Sequence, residues 1–245
     1  MKFYSTNNPQ HQVSLAQAVI EGLAPDQGLY MPEKIPALSK DFIANISDLS
    51  FQEIGYQVIG ALFSEDLTKE EIKDLVDHTL IFDAPIVQVE ERIFSLELFH
   101  GPTLAFKDFG ARFCSKLMSM LLAGSDKKVR VLVATSGDTG SAVANGFLGV
   151  EGVEVIILFP KGKVSELQEK QFTTLGKNIR ALAVEGVFDD CQKMVKEAFL
   201  DKELNEKLLL TSANSINIAR WIPQSLYYFY AYSRLPKTDE KVVFS

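Results

Sequence analysis

Lys107 lies in the run Gly101-Pro102-Thr103-Leu104-Ala105-Phe106-Lys107-Asp108-Phe109-Gly110-Ala111-Arg112-Phe113, where a polar turn gives way to an amphipathic helix. An ammonium between Phe106 and Phe109, at the mouth of a helix, is expected to lose hydration and to feel the positive end of the helix dipole. Both effects favour the neutral amine, the form that attacks an aldehyde, and so point to Schiff-base chemistry with pyridoxal phosphate. The plainer alternative is a solvated surface lysine.

A second run, Ala134-Thr135-Ser136-Gly137-Asp138-Thr139-Gly140-Ser141, falls where a buried strand ends and a helix begins. Gly137 and Gly140 let the backbone approach a ligand closely, and N–H groups at a helix start point at negative charge. Thr135, Ser136, Thr139 and Ser141 add hydroxyls, so the run reads as a cradle for a carboxylate or phosphate, or else as a Ser/Gly turn that caps the helix. Asp138 would repel an anion in that cradle, and its expected role is to cap the helix or to meet a cationic or protonated group. The third run, Ser212-Ala213-Asn214-Ser215-Ile216-Asn217-Ile218-Ala219-Arg220, puts short polar side chains before a helix and a guanidinium one turn in. A planar fork beside neutral donors suits a phosphoryl group; the alternative is an N-cap followed by a solvated arginine.

These runs need elements to hold them. Up to about residue 85 the chain is rich in helix starts of the capping-box form: Ser14 with Gln17, Ser50 with Glu53 and Thr68 with Glu71. The region reads as mainly helical, with the proline-rich segment 24–36 as an ordered loop. From about residue 86, short apolar or β-branched runs alternate with helical patterns, the signature of βαβ units on a parallel sheet. Strands are expected at 93–98, 129–134, 153–159 and 178–184, and the sheet core is expected to begin at the first of these. Helices are expected near 138–148, after Ser165, near 188–200, and as one piece over 216–233. Phe109, Phe113 and Leu117 recur at i, i+4 and i+8, a stripe that should face the core. Lys241–Ser245 reads as the opening of another strand.

Composition bounds the function. The 245 residues are 47% hydrophobic and 23% charged, an ordinary globular balance, and the net charge is −7. An acidic chain without a Lys/Arg run argues against a nucleic-acid groove or an anionic membrane surface and for a small-molecule partner. No apolar stretch approaches the roughly 18 residues of a membrane span, and the N-terminus lacks a signal core, so a cytoplasmic protein is expected. The two cysteines, Cys114 and Cys191, fall in separate helical patterns and are expected as buried thiols. With His11, His78 and His100 also scattered, no metal-ligand cluster is expected.

Together the runs resemble one family, the threonine synthases, pyridoxal phosphate enzymes of fold type II with a tryptophan-synthase-β-like fold. Leu104–Gly110 resembles the family's cofactor-lysine motif, Ala134–Ser141 its substrate-carboxylate loop, Ser212–Asn217 a signature near the active site, and Gly22–Pro32 part of its N-terminal module. Dehydratases and cysteine synthases of the wider fold usually carry Asn where Asp138 stands, which favours threonine synthase. The resemblance implies an N-terminal domain over 1–85 and a partial catalytic domain over 86–245. It implies conversion of O-phospho-L-homoserine and water to L-threonine and phosphate, with Lys107 as cofactor lysine and general base and acid. It further implies Ser136, Gly137, Thr139 and Gly140 at the substrate carboxylate, Asp138 near the cofactor's 3′ oxygen, and Asn217 and Arg220 near the substrate phosphate. The family takes its cofactor-phosphate loop and the residue facing the pyridine nitrogen from positions after a strand like 241–245. This chain is therefore expected to be C-terminally incomplete, to leave part of its sheet uncovered, and to be inactive alone. The rival expectations are a phospholyase acting on a related phosphorylated amino acid, and a cofactor-free fragment.

Overall fold

The computed structural model describes residues 1–236 and 241–245. Helices α1 (Leu15–Glu21), α2 (Lys40–Asn45), α3 (Phe51–Phe63) and α4 (Lys69–Thr79) build most of the N-terminal part. Both full capping boxes form: the Ser50 and Thr68 amides donate to the Glu53 and Glu71 carboxylates at 2.7 Å, while the two hydroxyls accept the N3 amides. At Ser14 only half the box forms, because the Gln17 side chain donates instead to Glu21 at 2.7 Å. The expected loop 24–36 contains a strand. β1 (Phe3–Ser5), β2 (Gln12–Val13) and β3 (Tyr30–Pro32) make a small antiparallel sheet in the order β2-β1-β3. Its pairings are non-local, which local turn signals in 24–36 conceal.

The α/β part starts later than expected. β4 (Ile86–Glu90) and β5 (Ile93–Leu96) form a separate antiparallel hairpin, with Val87, Val89 and Ile93 exposed, and take no place in the parallel sheet. That sheet begins after α5 (Lys107–Leu122). It runs β6 (Val129–Ala134), α6 (Asp138–Phe147), β7 (Val153–Pro160), α7 (Glu166–Thr173), β8 (Ile179–Val184), α8 (Phe188–Leu200), α9 (Lys202–Lys207) and β9 (Leu209–Ser212). The strand order is β8-β7-β6-β9, all parallel. Each face of β6 has its own cover. Val129, Val131 and Val133 join the core with α5 and α6, whereas Leu132 and Ala134 pack with Cys191 and Val195 of α8 and Leu210 of β9. Burial on both faces is why β6 and β7 read as nearly continuous apolar runs. The stripe Phe109, Phe113 and Leu117 is fully buried, at about 2 kcal/mol per side chain of hydrophobic stabilisation.

The sheet grows outward from β6 through β7 to β8, and then the chain returns to lay β9 on the other side of β6. The carboxyl ends of β6 and β9 therefore flank a topological switch point, where open α/β sheets bind ligands. Two expectations fail after β9. The single helix over 216–233 is two, α10 (Ile218–Trp221) and α11 (Gln224–Arg234), separated at Pro223, which has no amide to continue the first ladder. Residues 241–245 carry no strand, because no described segment pairs with them. Cys114 and Cys191 are buried thiols in α5 and α8, and burial pushes Cys114 up to about 12. Among the described residues no helix is long and apolar enough to cross a membrane.

Candidate active site

Lys107 is the first residue of α5, and the turn before it is fastened from below. The Asp108 carboxylate, 1% exposed, accepts the Thr103 amide at 2.9 Å and the Thr103 hydroxyl at 2.6 Å. Leu104, at the tip of the same turn, sits at φ +59°, a left-handed conformation that costs a branched residue about 1 kcal/mol. Lys107 Nζ lies 4.5 Å from the centroid of the Phe106 ring. Phe109 does not flank the amine as the sequence suggested. It turns into the core against Phe82 at 4.5 Å and Tyr227 at 5.4 Å, as its place in the buried stripe requires. The aromatic wall is one-sided, and the side chain keeps 22% exposure. Its polar neighbour is Asp138, whose Oδ2 is 3.5 Å from Nζ.

Asp138 opens α6, so the amine and the cradle meet at one carboxylate. Gly137, the N-cap, takes φ +147° and ψ −87°, a conformation open to glycine alone. Thr135, 1% exposed, organises the loop: its Oγ1 accepts the amides of Gly137 at 3.0 Å and Gly140 at 2.8 Å. Ser141 is fully buried and donates to the Gly137 carbonyl at 3.2 Å. The four hydroxyls therefore divide into two pairs. Thr135 and Ser141 hold the loop's shape, while Ser136 is exposed and Thr139 half-exposed. Asp138 and Thr139 occupy the first turn of α6, where amides lack intrahelical acceptors and the dipole favours an anion.

Sequence reasoning missed Gln168, the third residue of α7. Its Nε2 donates to Asp138 Oδ1, and its Oε1 accepts the Ser165 hydroxyl at 2.9 Å. The Ser165–Gln168 pair was visible as a capping box, but nothing local said that the amide would also face a carboxylate 30 residues away.

The turn after β9 follows the carboxyl end of the strand that pairs with β6. Asn217 is fully buried and caps α10 by accepting the Ala219 amide at 2.9 Å. Both of its amide hydrogens are also engaged, with the carbonyls of Val19 and Ser212 at 2.9 Å each. Arg220 is 1% exposed rather than solvated; its Nη1 donates to the Ala213 carbonyl, and its Nε has no hydrogen-bond partner among the described residues. It lies against α5, where a Cβ on Gly110 would stand 2.9 Å from that Nε. Burial holds the guanidinium below the usual arginine range, opposed by the charges of Cys114 and Asp108. The Arg220 Nε, packed against Gly110, and the Asn214 Oδ1 nearby in sequence are buried without hydrogen-bond partners among the described residues.

A lysine amine and a glycine-formed helix start, meeting at Asp138 beside the switch point of a parallel sheet, define a class of ligand-binding α/β protein. The chain belongs to the pyridoxal-phosphate dependent enzyme family, whose sequence model matches residues 73–242. Residues 2–80 match a second model, described as the threonine synthase N terminus. Over 97% of its length the chain is similar to the threonine synthase of Haemophilus influenzae, at 48% identity, and spans 55% of that protein. The crystal structure of threonine synthase from Escherichia coli superposes with a TM-score of 0.89 at 46% identity, over 97% of this chain and 55% of that one. The pyridoxal-phosphate-bound threonine synthase of Brucella melitensis gives 0.90 at 37% identity, over 99% of this chain and 53% of that one. The chain thus spans about half the length of the relatives it matches.

Proposed function

We propose that this chain supplies the amine, the substrate-carboxylate cradle and part of the phosphate wall of a cytoplasmic threonine synthase. The reaction is conversion of O-phospho-L-homoserine and water to L-threonine and phosphate. The observation that carries the reading is the meeting of Lys107 Nζ with Asp138 at the first turn of α6, 3.5 Å apart. Pyridoxal phosphate, when bound, supplies an aldehyde and a ring that accepts the electron pair freed at Cα. Lys107 holds that aldehyde and, once released, moves protons at Cα and Cβ of the substrate. Ser136 and Thr139 present hydroxyls to the substrate carboxylate, joined by the amides of the first turn. Gly137 and Gly140 permit its close approach, with their own amides turned to Thr135. Asp138 faces the cofactor's 3′ oxygen. Asn217 sets the turn that carries Arg220, and both stand near the substrate phosphate. The domains are 1–85 and 86–245.

The test is titration of the 245-residue protein with pyridoxal phosphate, followed by borohydride and peptide mass spectrometry. Preferential labelling of Lys107 over surface lysines, absent in Lys107→Ala, is expected. Labelling spread evenly over surface lysines overturns the assignment.

A further inference from the structure

We propose that Gln168 is a positioning residue, holding the Asp138 carboxylate on Lys107. The inference rests on the reading of Lys107 as the cofactor amine only for its importance, not for its geometry. Asp138 is half exposed, with 49% of its side chain accessible, and a free carboxylate there would sample several rotamers. Gln168 removes that freedom. Its Nε2 donates to Oδ1, which leaves Oδ2 directed at Lys107 Nζ. The amide cannot turn over, because Asp138 only accepts, while the Ser165 hydroxyl accepts the Gln168 main-chain amide and so donates to Oε1 at 2.9 Å. The main chain packs close as well, with Ser141 Oγ of α6 3.3 Å from the Gln168 carbonyl, its one hydrogen shared between that oxygen and the Gly137 carbonyl. Gly137 completes the fit: a Cβ there would lie 2.6 Å from Gln168 Cδ, so the loop keeps a glycine where the amide passes. The result is a chain of contacts from Ser165 through Gln168 and Asp138 to Lys107, built across α7, α6 and α5.

The test reads the Lys107–Asp138 contact without cofactor or turnover. Trace acetylation with acetic anhydride, quantified peptide by peptide, gives the rate at Lys107 relative to the exposed Lys202 on α9. The Asp138 contact holds the Lys107 amine away from the reagent, so loosening Asp138 is expected to speed acetylation. Gln168→Met should raise the Lys107 rate about threefold, the scale of a partly exposed ion pair, and Asp138→Asn should do the same. The double variant should be no faster than either single one, because Gln168 acts only through Asp138. An unchanged rate in Gln168→Met, or effects that multiply in the double variant, overturns the proposal. If Gln168→Met melts well below the parent, Gln168→Asn takes its place, since its amide is one methylene too short to reach. Borohydride trapping of pyridoxal phosphate on the same samples is read separately. Coupling in the acetylation cycle without a Lys107 adduct supports the role of Gln168 and removes only the cofactor role of Lys107.

Discussion

Asn217→Ala should destabilise the chain out of proportion to the size of the change. The side chain is fully buried and makes three hydrogen bonds, two as donor to the carbonyls of Val19 and Ser212 and one as acceptor from the Ala219 amide. Each buried donor bond is worth about 1 kcal/mol net, and loss of an N-cap costs about 1 kcal/mol, so the expected loss is about 3 kcal/mol. With a urea m-value of about 3 kcal/mol/M, the unfolding midpoint should fall by about 1 M. Asn217→Asp separates the contributions. It keeps the acceptor for Ala219 but turns a carboxylate oxygen toward two carbonyls in a buried site, and should lose at least as much stability as Ala. Equilibrium urea unfolding followed by far-ultraviolet circular dichroism measures both. A loss below about 1 kcal/mol for Ala, or an Asp variant as stable as the parent, would refute the account of this residue as the fastener between α1 and the turn after β9.

Gly137→Ala should cost about 2 kcal/mol in thermal unfolding from its backbone conformation alone, with an added clash against Gln168. Pairing it with Gln168→Ala should recover only the clash, and full recovery would contradict the backbone argument. His78 lies at the end of α4 with its pKa held below 6.5, by burial first and then by Arg112 and Lys116. As pH falls through about 6.5 the unfolded chain takes up a proton that the folded chain resists, so this contribution to stability declines toward acid. The melting temperature of His78→Gln should therefore fall less than the parent's between pH 7.5 and 5.5, and parallel curves would refute it.

The sequence made the stretch from Val129 to Leu200 legible because β6 and β7 are largely buried on both faces and helical apolar patterns alternate with the strands. It concealed β1, β2 and β3, whose pairs join distant short segments, and β9, whose four residues lack any period. At the candidate site, the strand-to-helix turn at 134–141 and the helix start at Lys107 were readable from type and place. Two expectations for Phe109 competed, one beside Lys107 and one in the stripe with Phe113, and helical phase decided for the core. The engagement of the Gly137 and Gly140 amides by Thr135, and the hold of Gln168 on Asp138, depend on how loops fold back over one another. No residue pattern encodes that.

The hydrogen bond from Asn217 to Val19 spans 198 positions, and this has a consequence for synthesis on the ribosome. At about 5–20 residues per second, the carbonyl of Val19 emerges roughly 10–40 s before the side chain that will occupy it. Through that interval α1 has an open end and no turn after β9 to lean on. The turn that carries Arg220 accordingly takes shape only after Asn217 has emerged, and nascent chains that stall before Asn217 should present the N-terminal module with its docking surface bare.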